Sequence, residues 1–209
     1  MRFGKLLGLA ALAMLVASRA MALDLNEWSS IQMPPPPELK PATVDPKTTA
    51  LFLFDFMTEN CGARPRCVEI VPKLKALQEK ARAANMPVFF TLPGNNKPID
   101  PALTPRAGEL VDQKQGGPDK FLNDDLDQQL RAKGIKTVIV CGTSGQGVGL
   151  GTGAAAVQRG FEVVYPIDCN PSESAFREAY TAWHMGGGGP PVTTRHVTLT
   201  RSDMIKFGG

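Results

Sequence analysis

Residues 138–161, VIVCGTSGQGVGLGTGAAAVQRGF, govern how the rest of the chain is read. An apolar run ends in a loop with glycine at nearly every second position, and the loop gives way to a small-residue segment that reads as a helix over 152–159. A glycine-rich turn between a buried strand and a helix N-terminus can offer backbone amides to a negatively charged or carbonyl oxygen. Several familiar loops of this shape are excluded by position. A Walker A loop needs Gly-Lys-Ser/Thr, and no lysine lies between Val138 and Phe161. A dinucleotide fingerprint begun at Gly145 or Gly147 meets Leu150 or Thr152 where glycine is required, and a serine-hydrolase elbow around Ser144 meets Gln146. The glycines then serve either as an oxyanion-binding nest or as room for tight packing of helix on sheet, and composition leaves both open.

Outward from this loop the chain alternates. ALFLFDF (50–56) is a continuous apolar run suited to a strand buried on both faces, and VEIVPKLKALQEKARAAN (68–85) carries Val68, Val71, Leu74, Leu77 and Ala81 at helical spacing, with Asn85 as its stop. MPVFFTL (86–92) and the weaker GELVDQK (108–114) read as strands, and FLNDDLDQQLRAKG (121–134) as an amphipathic helix ending on Gly134. KTVIVCG (136–142) and FEVVYPIDC (161–169) are strands around the small-residue helix. SESAFREAYTAWHM (172–185) is a helix with Ser172 as the expected N-cap, and RHVTLT (195–200) is a last strand. This order predicts one α/β domain over 49–209, a doubly wound, mainly parallel sheet with helices on both faces. Ligands in such sheets sit beyond the carboxyl ends of the strands, so weight falls on Asp55, Thr91–Gly94, Lys114, Cys141–Gly149 and Asp168–Cys169.

Ahead of the domain, Arg2 and Lys5, the apolar core LLGLAALAMLVA (6–17) and Ala20-Met21-Ala22 have the form of a secretory signal peptide over 1–22. A Pro-rich extended arm follows over 23–48, with four consecutive prolines. The expected location is periplasmic or secreted. Removing the leader takes three of the 23 basic residues and leaves 20 against 20 acidic ones, so the chain has no basic surplus for nucleic acid and no expected membrane association once the leader is cleaved. In an oxidising compartment Cys61 and Cys67, which bracket GARPR, are expected to close a disulfide, the alternative being two buried thiols. No Cys/His spacing suggests zinc.

Taken together and in order, TALFLFDF, KLKALQEKARAANMPVFFT, GELVDQK, the Phe121–Gly142 segment and Thr152–Val164 resemble the isochorismatase-like hydrolase superfamily, also called the cysteine hydrolases. The resemblance runs from about Thr49 to Asp203 and implies a six-stranded doubly wound domain. It also implies a small-molecule substrate, no cofactor, and a homo-oligomer in keeping with a family whose members are often oligomeric. Most members use an aspartate after the first strand, a lysine after the third and a cysteine in the loop after the fourth, with loop amides as an oxyanion hole and a non-proline cis peptide shaping that loop.

By this resemblance Asp55 takes the aspartate's place. Lys114 is preferred for the lysine because it ends the third strand, and Lys120, beside Phe121, is the alternative. Gly142 matches the glycine before the cis bond, which falls at Thr143–Ser144, and Ser144, Gly147 and position 148 belong to the oxyanion loop. His184, after Trp183, is a further candidate at the mouth, against a packing role. The nucleophile does not carry over: the family cysteine sits six residues after the glycine and four before the threonine, and here Gly142 and Thr152 put Val148 there. The family's metal-binding histidines have no counterpart in TLPGNNKPID (91–100). Two readings follow. One is a cysteine-independent hydrolase in which Asp55 is a general acid/base, with burial favouring a raised pKa and a lysine in reach opposing it, so that the sequence leaves the direction open. The other is an inactive relative that binds a small molecule or a protein.

Overall fold

A computed structural model describes residues 25–92, 98–112, 117–122 and 125–208. The leader over 1–22, Lys114 and the centre of TLPGNNKPID lie outside the described residues. The chain forms two compact units, one ending at Pro35 and one spanning Pro36–Gly209. The described part of the first, residues 25–35, holds an exposed 3-10 turn, Leu25–Ser30, with Ser30 Oγ donating to the Glu27 carbonyl at 2.7 Å. Among the described residues no helix is long and apolar enough to cross a membrane.

The second unit carries β1 (Ala42–Val44), β2 (Thr49–Phe54), α1 (Thr58–Gly62), α2 (Pro65–Ala83), β3 (Val88–Thr91), β4 (Leu110–Asp112), α3 (Leu126–Ala132), β5 (Thr137–Gly142), α4 (Leu150–Gln158), β6 (Glu162–Pro166), α5 (Ala175–Trp183), α6 (Pro191–Thr194), β7 (Val197–Thr200) and β8 (Ile205–Phe207). Six strands form one sheet in the order β4-β3-β2-β5-β6-β7, and every ladder in it is parallel. The chain starts at the centre, winds out through β3 and β4, then returns to β5 and winds out the other way. Its switch point is the β2/β5 boundary, where a parallel sheet opens a crevice at its carboxyl edge.

The apolar run of β2 is explained by the two cores. Leu51 and Leu53 join Leu74, Leu77 and Ala81 of α2 on one face. Ala50, Phe52 and Phe54 join Leu126 and Leu130 of α3 and Ala155–Val157 of α4 on the other. With both faces covered, successive side chains must all be apolar. The helices end as their sequences suggest: Asn85 (φ 56°) and Gly134 (φ 70°) take the left-handed conformation, and the next residue donates back across the last turn, Met86 to Ala81 and Ile135 to Leu130.

Three local expectations are corrected. The cap of α5 is Ser174, whose Oγ accepts from Arg177 N, while Ser172 is fully buried and its N–H donates to Glu178. Ahead of α3, Phe121 and Leu122 lie in a turn rather than a helix, and α3 begins only at Leu126. Two three-residue strands were not expected: β8 pairs in parallel with β1, from the Pro-rich segment, and so ties the carboxyl end of the chain to residues just ahead of β2.

Cys61 and Cys67 form the expected disulfide, and Cys141 and Cys169 form a second, with Cα atoms 5.1 Å apart. The second joins the carboxyl ends of β5 and β6, neighbours in the sheet although 28 residues separate the cysteines. Closing a loop of that length restricts the unfolded chain by about 3–4.7 kcal/mol, the values for 15- and 100-residue loops. The double variant Cys141→Ala/Cys169→Ala is therefore expected to lose about 3–4 kcal/mol in urea unfolding. A loss below about 1 kcal/mol would contradict a role in stability.

Candidate active site

Strand register assembles the centre. Phe54, the last residue of β2, is level with Thr91 on one side and Gly142 on the other, and Thr91 is level with Asp112. Asp55 therefore emerges between the ends of β3 and β5. Its backbone turns to the left-handed region (φ 62°), an uncommon conformation for a residue with a side chain and one that occurs at functional sites. Its N–H is directed to Thr91, at 3.3 Å from the carbonyl and 3.2 Å from Oγ1.

The Asp55 carboxyl is held at both oxygens. Thr91 Oγ1 donates to Oδ1 at 2.6 Å, and Lys120 Nζ lies 3.0 Å from Oδ2. Asp55 is 8% exposed and Lys120 0%. Burial is the largest influence on the carboxyl and raises its pKa above the ordinary aspartate value, against the opposing pull of Lys120, Thr91 and Arg64. The direction that the sequence left open is thus upward. Lys114 lies outside the described residues, and among these Lys120, the alternative in the sequence reading, is the lysine that pairs with Asp55. Its turn is docked on α4, with Thr152 Oγ1 accepting from Lys120 N at 3.2 Å and donating to the Pro118 carbonyl at 2.9 Å.

The Thr143–Ser144 peptide is cis. Thr143 N donates to the Phe54 carbonyl, and the amides of Gly147 and Gly149 both point at the Ser144 carbonyl, at 3.0 and 3.3 Å. The Gly147 N–H, expected among the oxyanion donors, is thus engaged inside the loop. Val148 is buried in the core that holds Phe54, and a Cβ added at Gly142 would lie 2.7 Å from its Cγ1. His184 follows α5 with its ring 5.9 Å from that of Tyr180, and it is not among the partners of Asp55.

The glycines make room for specific neighbours. A Cβ at Gly145 would meet the Asn170 carbonyl oxygen at 2.3 Å, one at Gly149 the Asn170 Oδ1 at 2.5 Å, and one at Gly151 the Pro118 carbonyl oxygen at 2.8 Å. Asn170 itself makes three side-chain bonds to backbone: Oδ1 accepts from Gly142 N at 3.0 Å, and Nδ2 donates to the Val140 and Pro166 carbonyls at 2.9 Å each. Beside the centre, a cavity of about 340 Å³ is lined by Thr91, Phe54, Phe89, Phe90, Asp112 and Leu126 among others.

Residues 49–196 match the Isochorismatase domain. The chain belongs to the isochorismatase family. Solved structures of similar fold include an isochorismatase family protein of Desulfovibrio vulgaris subsp. vulgaris str. Hildenborough, 19% identical over 75% of this chain and 95% of that one, with a TM-score of 0.66. A cysteine hydrolase of Pseudomonas syringae pv. phaseolicola 1448A is 21% identical over 82% and 95%, with a TM-score of 0.67. The N-carbamoylsarcosine amidase of Thermoplasma acidophilum is 21% identical over 75% and 97%, with a TM-score of 0.63. No curated protein matches the sequence.

In this isochorismatase-family chain, sequence reasoning missed Asn60, whose Nδ2 donates to the Asp55 and Thr143 carbonyls, Arg64, which donates to Asn60 Oδ1, and Asn170. Asn170 carried a weak signal, since it follows the weighted pair Asp168–Cys169 at a strand end. Asn60 and Arg64 carried none, because their importance depends on where α1 lands against the loop.

Proposed function

We propose that the protein is an exported, thiol-independent hydrolase of a small molecule in which Asp55 is the general acid. The observation that carries this is the conjunction of a buried carboxyl of raised pKa, oriented by Thr91 and Lys120 at the sheet's switch point, with the pairing of all four cysteines in disulfides. A carboxylic acid whose pKa is raised keeps its proton nearer neutrality and can deliver it to a developing carbanion or leaving group. On a vinyl ether the Asp55 proton goes to the terminal alkene carbon. Water then adds to the carbon bearing the ether oxygen and returns a proton to Asp55, and the resulting hemiketal breaks into a ketone and an alcohol. Lys120 offsets the carboxylate left after the first transfer. An oxygen that gains charge would be met by loop amides other than those of Gly145, Gly147 and Gly149, which already have acceptors.

Two disulfides suit an oxidising compartment and support export. The cavity beside Thr91 is of a size for a small ligand. A second reading, an inactive binding module, is favoured by Val148, which is buried and carries no reactive atom. A panel of vinyl-ether, ester and amide substrates, assayed before and after alkylation with iodoacetamide, separates the two. Turnover unaffected by alkylation is expected, and binding without turnover across the panel would favour the binding module.

A further inference from the structure

We propose that Asn60 is a positioning residue that clamps the Asp55 strand end to the cis-peptide loop. Its Nδ2 donates to the Asp55 carbonyl at 2.8 Å and to the Thr143 carbonyl at 3.2 Å, so one amide spans the gap between the β2 and β5 ends. Both of its N–H bonds are used on these carbonyls. On the other side Arg64 donates to the Asn60 Oδ1 and, at 2.8 Å, to the Asn60 carbonyl. The amide orientation is therefore fixed by its partners: turned over, it would set its oxygen against two carbonyl oxygens and its NH2 against a guanidinium.

Arg64 is itself anchored. Its Nε donates to Glu173 at 2.8 Å, and Glu173 also receives Gln146 of the glycine loop at 3.0 Å and Arg177 of α5 at 2.6 Å. Burial pushes the Glu173 carboxyl up, but Arg64, Gln146 and Arg177 together hold it at about 2, so it stays ionised and keeps its grip on Arg64. The Cys61–Cys67 disulfide brackets Arg64 and begins one residue after Asn60, which limits how far either can drift. Asn60 thus joins three elements that a proton transfer needs in register: the acid's strand, the loop and the rim of α5. Its catalytic meaning rests on the Asp55 reading above, whereas the clamp can be tested without it.

The experiment compares wild type, Asn60→Ala, Asn60→Asp and the control Arg66→Met, which cuts the neighbouring Arg66–Glu178 pair and leaves Asn60 alone. Two signals are read by NMR: the amide resonances of residues 143–149 and the titration midpoint of the Asp55 carboxyl. In Asn60→Ala the loop resonances should shift or double, and the midpoint should fall toward the ordinary aspartate value as water reaches the strand end. With a turned-over substrate, kcat should fall about 10–100-fold and KM change by less than about threefold, as expected when groups are misplaced by about an ångström. Asn60→Asp keeps the contact to Arg64 and loses the donors, so it gives the same loop signal if Asn60→Ala does not fold. Loop resonances and an Asp55 midpoint unchanged in both variants, or moved equally by Arg66→Met, would overturn the proposal. A wild type without turnover would instead count against the hydrolase reading and leave the NMR result to decide the clamp.

Discussion

Asp55→Asn is expected to lower turnover by about 10²–10⁴-fold, the usual contribution of a positioned general acid, with little change in KM. The substitution keeps the size of the side chain and its contacts with Thr91 but removes the transferable proton. It also tests the environment through pH. The Asp55 pKa is higher folded than unfolded, so the folded protein binds the extra proton between the ordinary value near 3.9 and the raised one. The stabilising contribution is full below the unfolded value and is lost as pH rises through the folded value. Carboxylates held down by arginines, such as Glu173 and Glu109, give the opposite slope. Subtracting the Asp55→Asn urea curve from the wild-type curve at each pH isolates the Asp55 share. That difference should decline from about pH 4 upward, and a flat or rising difference would contradict the raised pKa.

Gly145→Ala should be the most damaging single-methyl change in the loop. The new Cβ would sit 2.3 Å from the Asn170 carbonyl oxygen and 3.1 Å from its carbonyl carbon, backbone atoms with no rotamer to escape into. Gly145 N is already bonded to the Pro171 carbonyl at 2.9 Å, so the loop and the 170–172 segment cannot part without losing that bond. A loss of about 1–3 kcal/mol in urea unfolding is expected, as for an overpacked core. A fall of about 100-fold in turnover should accompany it, since the loop shifts against Asp55. Gly147→Ala is the matched comparison, because its Cβ meets only the Ser144 hydroxyl, at 2.9 Å, which can rotate away. That variant should stay within about 0.5 kcal/mol of wild type. Equal losses in the two would mean that the glycines are needed for loop freedom in general rather than for the approach of Asn170.

The contrast between these glycines bears on what the sequence could reveal. Strand β2 was legible because burial on both faces leaves only one kind of pattern, and Gly134 was legible because a left-handed helix end selects glycine. The Cys61–Cys67 bridge was legible from a six-residue separation. The Cys141–Cys169 bridge was not, since it depends on β5 and β6 lying side by side. The pairing of Lys120 with Asp55 was not legible, since no pattern in the sequence announces Thr152 Oγ1 accepting from Lys120 N. The cap of α5 moved from Ser172 to Ser174 because Pro171 and Ser172 are committed to the glycine loop and to Glu178. The glycine spacing could announce close approaches, but only the fold names Asn170 and Pro118 as the groups that approach.

In the proposed mechanism, chemistry runs on the Asp55 proton without a thiol. The most direct measurement is the pH dependence of kcat/KM in protein treated with iodoacetamide, for whichever vinyl ether, ester or amide is turned over. A general acid works in its protonated form, so activity should survive alkylation undiminished and fall as pH rises through the raised Asp55 pKa. Activity lost on alkylation, or rising with pH across that range, would contradict it.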